Sequence, residues 1–90
     1  LINEYWDFIG AVDPNDNNPE DPNQYQLGSE NSSCVTGSEP CQVHAPSNSN
    51  PTNPKPDLSQ PAPNFSSQTV LQRIQAAQST GGNETLTMKD

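Results

Sequence analysis

The densest group of side chains that could do chemistry lies in DPNDNNPEDPN, residues 13–23. Carboxylate and amide oxygens are the ligands that calcium prefers, and the stretch matches an EF-hand loop at its first, third and fifth positions. Asn18 stands where that loop needs glycine, and Gln24 replaces the bidentate glutamate of the twelfth position. Asp, Asn and Pro are equally the residues of turns. We therefore expect a turn-rich spacer, with a calcium site as the alternative, for which the candidate ligands are Asp13, Asn15, Asp16, Glu20 and Asp21.

The two cysteines, Cys34 and Cys41, are the second group with chemical potential. The chain begins at Leu1 rather than at methionine, which is typical of a protein whose signal peptide has been cleaved. In an exported chain two cysteines form a disulfide by default. His44 follows closely, but a zinc site would need a fourth soft ligand. The sequence predicts a disulfide, with free thiols and a metal site as the alternatives.

The charge balance and the residue types argue against several classes of function. The formal net charge is −8, and only Lys55, Arg73 and Lys89 are basic. Nucleic-acid binding depends on cationic side chains at phosphates, so we expect no nucleic-acid partner. No apolar run reaches the roughly 18 residues that span a bilayer, so we expect no membrane span. A single histidine gives no catalytic triad, so an enzyme is the least expected class, and we expect no cofactor other than calcium.

The supply of apolar side chains is small. Leu, Ile, Val and Phe number 14 of 90 residues, which is below the roughly 20% level typical of chains that fold alone. We therefore expect a mostly irregular or extended chain with short β-strands, one C-terminal amphipathic helix and little independent core. A chain of this kind becomes ordered against copies of itself or against a larger protein complex.

Two stretches before residue 45 have the pattern of strands. Residues 1–12 place Trp6 and Phe8 on one face of a strand, with Tyr5 and Ile9 near or on the other. Such a strand can insert into another subunit's sheet or pack in its own domain, and the residues favour neither. Residues 33–44 predict a hairpin stapled by the disulfide, in which Val35 and Val43 flank the turn.

The rest of the chain divides into a linker and a helix. Residues 45–65 contain six prolines among small polar residues, which predicts an extended linker that forms neither helix nor central strand. Residues 66–80 predict a helix capped by Ser66 or Ser67 and ended by Gly81 and Gly82. Its apolar stripe is too narrow to persist alone, so the helix needs a partner surface. Leu86 and Met88 alternate with polar residues, as in a short terminal strand.

These elements give a three-part organisation: a small β-rich exported module over residues 1–44, the linker over 45–65, and the helix with its tail over 66–90. The apolar side chains of the first and last parts are predicted to contact neighbouring subunits, namely Tyr5, Trp6, Phe8, Ile9, Val70, Leu71 and Ile74. Three N-x-[ST] sequons mark weak glycosylation candidates at Asn31, Asn64 and Asn83, since about two would occur by chance.

Several short motifs follow one another along about residues 4–44. The residues that form them are Trp6, Phe8, Gly10, Asp13, Pro14, Asn15, Gln24, Tyr25, Cys34, Cys41, Gln42 and Val43. The order of these motifs resembles a family of small exported proteins of unknown function that is common in Bacteroidota. The resemblance implies a signal peptide, an aromatic strand, a DP-x-x-Y segment and a C-terminal cysteine pair. It implies export and the disulfide but no catalytic residue, and the long linker and the helix depart from the family's short form.

From the sequence we expect a non-enzymatic exported protein that acts as a structural or interaction subunit at the cell surface or in an extracellular assembly, a filament being one form. One alternative is a small accessory chain wrapped on a larger outer-membrane or secreted complex. The other is a calcium-stabilised surface module.

Overall fold

A computed structural model describes residues 3–31, 33–34 and 37–89. These ranges contain one α-helix, two 3-10 turns over Pro14–Asp16 and Pro22–Gln24, and six strands. The strands and the helix are, in chain order, β1 (Asn3–Phe8), β2 (Tyr25–Gly28), β3 (Glu39–Pro46), β4 (Pro61–Ala62), β5 (Phe65–Thr69), α1 (Val70–Thr80) and β6 (Leu86–Lys89).

Four of the strands form an antiparallel sheet in the order β2-β1-β3-β6. The N-terminal strand β1 is therefore internal, with Trp6 opposite Leu27 on one side and opposite Val43 on the other. Because both of its edges are already paired, β1 has no free edge with which to enter another subunit's sheet. Of the two interpretations of residues 1–12, the strand packed in its own domain is the one that the structure contains.

One face of this sheet carries the core, against which the helix and the small β4–β5 hairpin pack. Trp6 is fully buried there, and its indole Nε1 donates a hydrogen bond to the Ala45 carbonyl oxygen at 2.9 Å. The expectation of little independent core is therefore wrong. All three predicted parts of the chain contribute to the one cluster, whose members are Trp6, Tyr25, Val43, Ala45, Leu58, Ala62, Val70, Ile74, Ala77, Leu86 and Met88.

The loops are held by a second device, which a count of apolar residues does not detect. In the part of the chain that the structure describes, an Asn or Asp side chain accepts a hydrogen bond from the backbone N–H two residues later in eight places. Such turns supply the loop backbone with local partners, so it can be ordered without burying apolar surface. The many Asn and Asp residues therefore shape this chain rather than loosen it.

The segment predicted as a linker is packed into the fold. Ala45 and Pro46 complete the central strand β3, and Pro46 accepts a hydrogen bond from the Asp57 N–H at 2.8 Å. Pro56 pairs with Ser47 in an isolated bridge, and Leu58 is buried in the core. Proline is tolerated at these places because a strand end or an isolated bridge does not require the backbone N–H donor that proline lacks. Residues 45–65 are thus neither extended nor excluded from a central strand.

The hairpin predicted over residues 33–44 is also absent from the described part of the chain. β3 pairs with β1 on one edge and with β6 on the other, so no edge remains for an arm that precedes it. The disulfide joins the preceding loop to β3 instead of joining two arms. Val35, predicted to flank the turn, lies outside the described residues.

The helix and the last strand follow the sequence closely. The helix begins later than predicted, because Thr69 and Gln72 form a capping box while Ser66 and Ser67 belong to β5. It ends as predicted at Gly81, whose φ of 82° is the left-handed conformation that glycine favours. The helix finds its partner surface within the chain. The predicted terminal strand is confirmed as β6, with Leu86 and Met88 buried.

Candidate functional site

A surface cleft of about 340 Å³ lies at one end of the sheet, where β1 ends, β3 begins and β6 ends. We call it the end cleft. Apolar side chains provide much of its lining, while an amide, a carboxylate and an ammonium group complete it. The lining residues are Phe8, Ile9, Asn17, Pro19, Glu39, Pro40 and Lys89.

The turn-rich loop is fixed beside the cleft by two sets of contacts. The Tyr25 ring lies edge-on to Phe8, with centroids 5.2 Å apart, and its hydroxyl donates to the Pro19 carbonyl oxygen at 2.6 Å. Burial raises the pKa of the Tyr25 hydroxyl far above its ordinary value, with a smaller contribution from the negative charge of Glu20. The hydroxyl therefore remains a donor at physiological pH, and the wall of the cleft keeps its shape.

Gly10 sets the turn by which the chain leaves β1. Its φ is 72°, and a Cβ at this position would lie 2.6 Å from Oδ1 of Asn17. That oxygen accepts a hydrogen bond from the Ala11 N–H at 2.8 Å. Only glycine fits both the conformation and the close approach, so Gly10 is required where the cleft joins the loop.

The residues predicted to contact other subunits fall into two groups. Trp6, Val70 and Ile74 are fully buried in the chain's own core and present no surface to a neighbour, so the prediction is corrected for these three. Phe8 and Leu71 are partly buried and pack against the same core. Tyr5 is half-buried on the other face of the sheet. Ile9 alone among the seven is strongly exposed, at 52%, and it lines the end cleft.

The sheet face opposite the core, which we call the outer face, carries polar side chains. Tyr5 and His44, which are cross-strand partners, stack with their ring centroids 4.4 Å apart and their planes 4° from parallel. Desolvation lowers the pKa of the His44 imidazole, and the negative charge of Glu30 partly opposes this shift. Burial raises the pKa of the Tyr5 hydroxyl, and Glu30 raises it further.

Gln42 joins this face to the loop above it. The side chain is 3% exposed, and its Nε2 donates to Oδ1 of Asp7 at 2.8 Å and to the Ser29 carbonyl oxygen at 2.6 Å. Its Oε1 accepts from the Asn31 N–H at 3.1 Å. A buried amide satisfied in this way fixes all three partners, because any displacement leaves a polar group unpaired. Gln42 therefore holds the loop that follows β2 against the sheet.

The predicted disulfide between Cys34 and Cys41 is confirmed, and it secures the same loop a second time. The two Cα atoms are 5.7 Å apart, a usual separation for this bond. Cys34 is buried, and no free cysteine occurs among the described residues. The thiol and zinc alternatives do not apply to a bonded pair.

The five candidate calcium ligands have different roles in the structure. Asp13 and Asp21 cap the two 3-10 turns, each accepting from the N–H two residues later. Glu20 Oε1 accepts a hydrogen bond from Gln75 at 3.0 Å, while Asn15 and Asp16 are exposed. Within residues 3–31, 33–34 and 37–89, no three His, Cys, Asp or Glu side chains are grouped to hold a metal ion. The turns predicted for this stretch are present, and calcium binding stays an untested alternative.

The three sequons differ in how their asparagines are used. Asn83 Nδ2 donates to the Arg73 carbonyl oxygen at 2.7 Å, and Oδ1 accepts from the Thr85 and Leu86 N–H groups. A glycan on Asn83 would compete with the contact to the helix. Asn31 and Asn64 are both exposed, and Asn64 lies in the turn between β4 and β5. Glycosylation of these two stays a prediction.

The polar residues that organise the outer face of the sheet were not predicted from the sequence. Gln42 and Thr85 are buried although their types are ordinarily exposed. The alternation of Gln42 with Val43 along the strand did indicate that Gln42 lies on the face opposite the core. It did not indicate that a loop covers Gln42 there. Nothing in the sequence indicated that Lys55 Nζ would donate to the Tyr25 carbonyl oxygen, at 2.6 Å.

Comparison of the chain with protein-family models, with curated proteins and with solved structures returns no match. The resemblance to exported Bacteroidota proteins therefore stays a prediction.

Proposed function

We propose that this chain is a non-enzymatic exported interaction subunit of a cell-surface or extracellular assembly, and that the end cleft is its contact surface. The observation that carries the proposal is the position of Ile9, which is 52% exposed and lies beside Phe8 and Pro40 in the end cleft. Val12, Leu27 and Phe65 are exposed as well, but none of them lines this cleft. Apolar side chains grouped in this way favour a surface that another molecule covers.

The composition of the cleft supports a protein as the occupant. Apolar and polar side chains share the lining of the cleft, as they share the contact surfaces of proteins. Glu39 and Lys89, which are cross-strand partners, supply opposite charges in this lining. A second copy of the chain could satisfy both charges, because the same surface would meet itself around a twofold axis.

Export is supported by the disulfide, since such bonds persist in oxidising compartments. Among the described residues, no helix has the length and apolar character to cross a bilayer. The non-enzymatic interpretation draws support from the use of the ionisable groups. His44 is stacked on Tyr5, and Asp13 and Asp21 are engaged as caps.

The chain's own core changes the form of the proposal. Because the chain has a core of its own, we expect assembly to join units that are already folded. A folded unit of 31 × 31 × 22 Å would dock on a larger complex rather than wrap around it. Self-association through the end cleft is therefore the leading form, and docking as an accessory chain is the alternative.

Sedimentation velocity over a wide concentration range tests the proposal. We expect the wild type to associate as concentration rises, and Ile9→Asp to abolish association because it places a charge in the apolar contact. Leu27→Asp is the matched control: Leu27 is 49% exposed, close to the 52% of Ile9, but lies on β2 outside the cleft.

Association that is equally lost in both variants, or retained in Ile9→Asp, would contradict the end cleft as the contact. A wild type that stays monomeric throughout would remove self-association. The accessory-chain form then requires that a component of the native source binds the wild type and Leu27→Asp but not Ile9→Asp, and failure of that binding ends the proposal.

A further inference from the structure

A separate pocket of about 140 Å³ lies on the polar face of the sheet, away from the end cleft. The stacked rings of Tyr5 and His44 form part of its wall, and the loop held by Gln42 and the disulfide forms another part. Its lining residues are Tyr5, Glu30, Asn31, Cys34, Gln42, His44, Glu84, Thr85 and Thr87. We call it the outer pocket.

Thr85 gives the first sign that this pocket takes a ligand. Thr85 is 1% exposed, and its hydroxyl oxygen Oγ1 has no hydrogen-bond partner among the described residues. The backbone is fixed on both sides, because the N–H donates to Asn83 Oδ1 at 2.9 Å and the carbonyl accepts from the His44 N–H at 2.7 Å. A buried hydroxyl is ordinarily bonded, so a group that enters the outer pocket would complete it.

The charges of the pocket give the second sign. Both oxygens of Glu84 are engaged by Arg73, at 2.9 and 3.0 Å. This is the one ion pair found within residues 3–31, 33–34 and 37–89, so Glu30 has no cationic side chain beside it there. Glu30 is exposed, and its negative charge acts on both rings of the wall. The pocket therefore presents a carboxylate that no cation of the chain neutralises within the described residues.

We propose that the outer pocket binds a primary ammonium group, of the kind carried by a lysine side chain or a small alkyl diamine. Such a group has three donors and no acceptor. It could donate to the Glu30 carboxylate and to the Thr85 hydroxyl while lying against the Tyr5 ring, since ammonium groups are attracted to aromatic faces. The net charge of −8 further favours a cation over an anion.

Nuclear magnetic resonance titration with n-butylammonium chloride tests the inference, with equal additions of sodium chloride as the reference. We expect saturable shifts confined to Tyr5, His44, Thr85 and their neighbours. Glu30→Gln keeps the shape and removes the charge, and it should weaken binding about tenfold or more. Glu4→Gln removes the same charge from β1 outside the pocket and should change affinity by less than about twofold.

Thr85→Val gives a second test, because it replaces the hydroxyl by a methyl group of the same shape. We expect affinity to fall about threefold or more, while the variant stays folded. Shifts that grow linearly and match those in sodium chloride would overturn the inference. Affinity unchanged in both Glu30→Gln and Thr85→Val would overturn it as well.

The source of the ammonium group is settled by comparing two probes. Nα-acetyl-lysine-N-methylamide carries the amine on a peptide backbone, whereas 1,4-diaminobutane is a free diamine. Binding of the lysine derivative at least as tight as that of the diamine would assign the pocket to a lysine side chain of another protein. Clearly tighter binding of the diamine would assign it to small amines. Neither result depends on Ile9, so the outer pocket and the end cleft can fail separately.

Discussion

The two faces of the four-stranded sheet are stabilised by different interactions. On the inner face Trp6, Val43 and Leu86 are fully buried and pack under the helix. On the outer face the alternate residues Asp7 and Gln42 join the sheet to a loop through hydrogen bonds. Burial of apolar surface is the larger source of stability, whereas satisfied polar networks chiefly specify one arrangement. Loss of inner-face contacts should therefore unfold the chain, and loss of outer-face contacts should release a loop.

The sharpest contrast is between neighbouring aromatic residues of β1. Trp6→Ala should lower the free energy of unfolding by about 3–5 kcal/mol, because it opens a cavity and leaves the Ala45 carbonyl without its donor. Tyr5→Ala on the outer face should cost only about 1 kcal/mol, which is typical of an aromatic pair. Urea unfolding followed by circular dichroism measures both. Equal losses in the two variants would contradict the distinction between the faces.

The disulfide is the next largest contribution. Replacing Cys34 and Cys41 together by serine should lower the free energy of unfolding by about 2–3 kcal/mol, since the closed loop is short. Amide hydrogen exchange should become faster in the loop that follows β2, around Asn31 and Ser33, and should change less in α1. If exchange rises first in the helix, the disulfide supports the inner face instead.

Gln42 tests the polar network of the outer face. Gln42→Leu should cost about 1–3 kcal/mol, because Asp7, Ser29 and Asn31 each lose their hydrogen bond to this buried amide. Gln26→Leu is the control, because Gln26 is exposed on the edge strand β2 and should be nearly neutral. A Gln42→Leu variant as stable as Gln26→Leu would show that the network contributes little.

The smallest expected effect is a dependence on pH. Desolvation holds the pKa of folded His44 below its usual value of about 6.5, despite the opposing charge of Glu30. The unfolded chain then takes up a proton first, so stability should fall as pH drops below about 6.5 and stay level above it. Because His44 is the only histidine, His44→Gln should remove this slope. An unchanged slope in the variant would assign it to carboxylates.

Local patterns predicted several elements well. The period of Val70, Ile74 and Ala77 and the two glycines identified the helix, and the alternation of Leu86 and Met88 identified β6. The disulfide followed from the cysteine count. Each of these patterns lies within a short stretch of sequence. The tertiary contacts of the helix and of β6 do not change whether the stretch forms a helix or a strand.

The number of apolar residues led to the wrong prediction that the chain has little core of its own. The apolar residues are few, but they come from every part of the chain and converge on one sheet face. Leu58 and Ala62 lie among prolines that predicted a linker, and their burial depends on distant partners. The counts also ignored the Asn and Asp turns, which order loops without apolar surface.

The candidate sites were predicted less well than the fold. Ile9 was chosen as a contact residue together with Trp6, because apolar type alone does not tell an interior position from a surface one. The outer pocket depends on Glu30, His44 and Thr85, which are far apart in sequence and are brought together only by the fold. No short motif records such a pairing.

The central claim is that this chain owns a core on the inner face of its sheet and folds without a partner. The most direct test is denaturant unfolding of the dilute, isolated chain, followed by the fluorescence of Trp6, its single tryptophan. We expect blue-shifted emission in buffer and one sigmoidal transition whose midpoint does not change with concentration. Emission typical of a water-exposed indole without denaturant, or a gradual change without a transition, would contradict the claim.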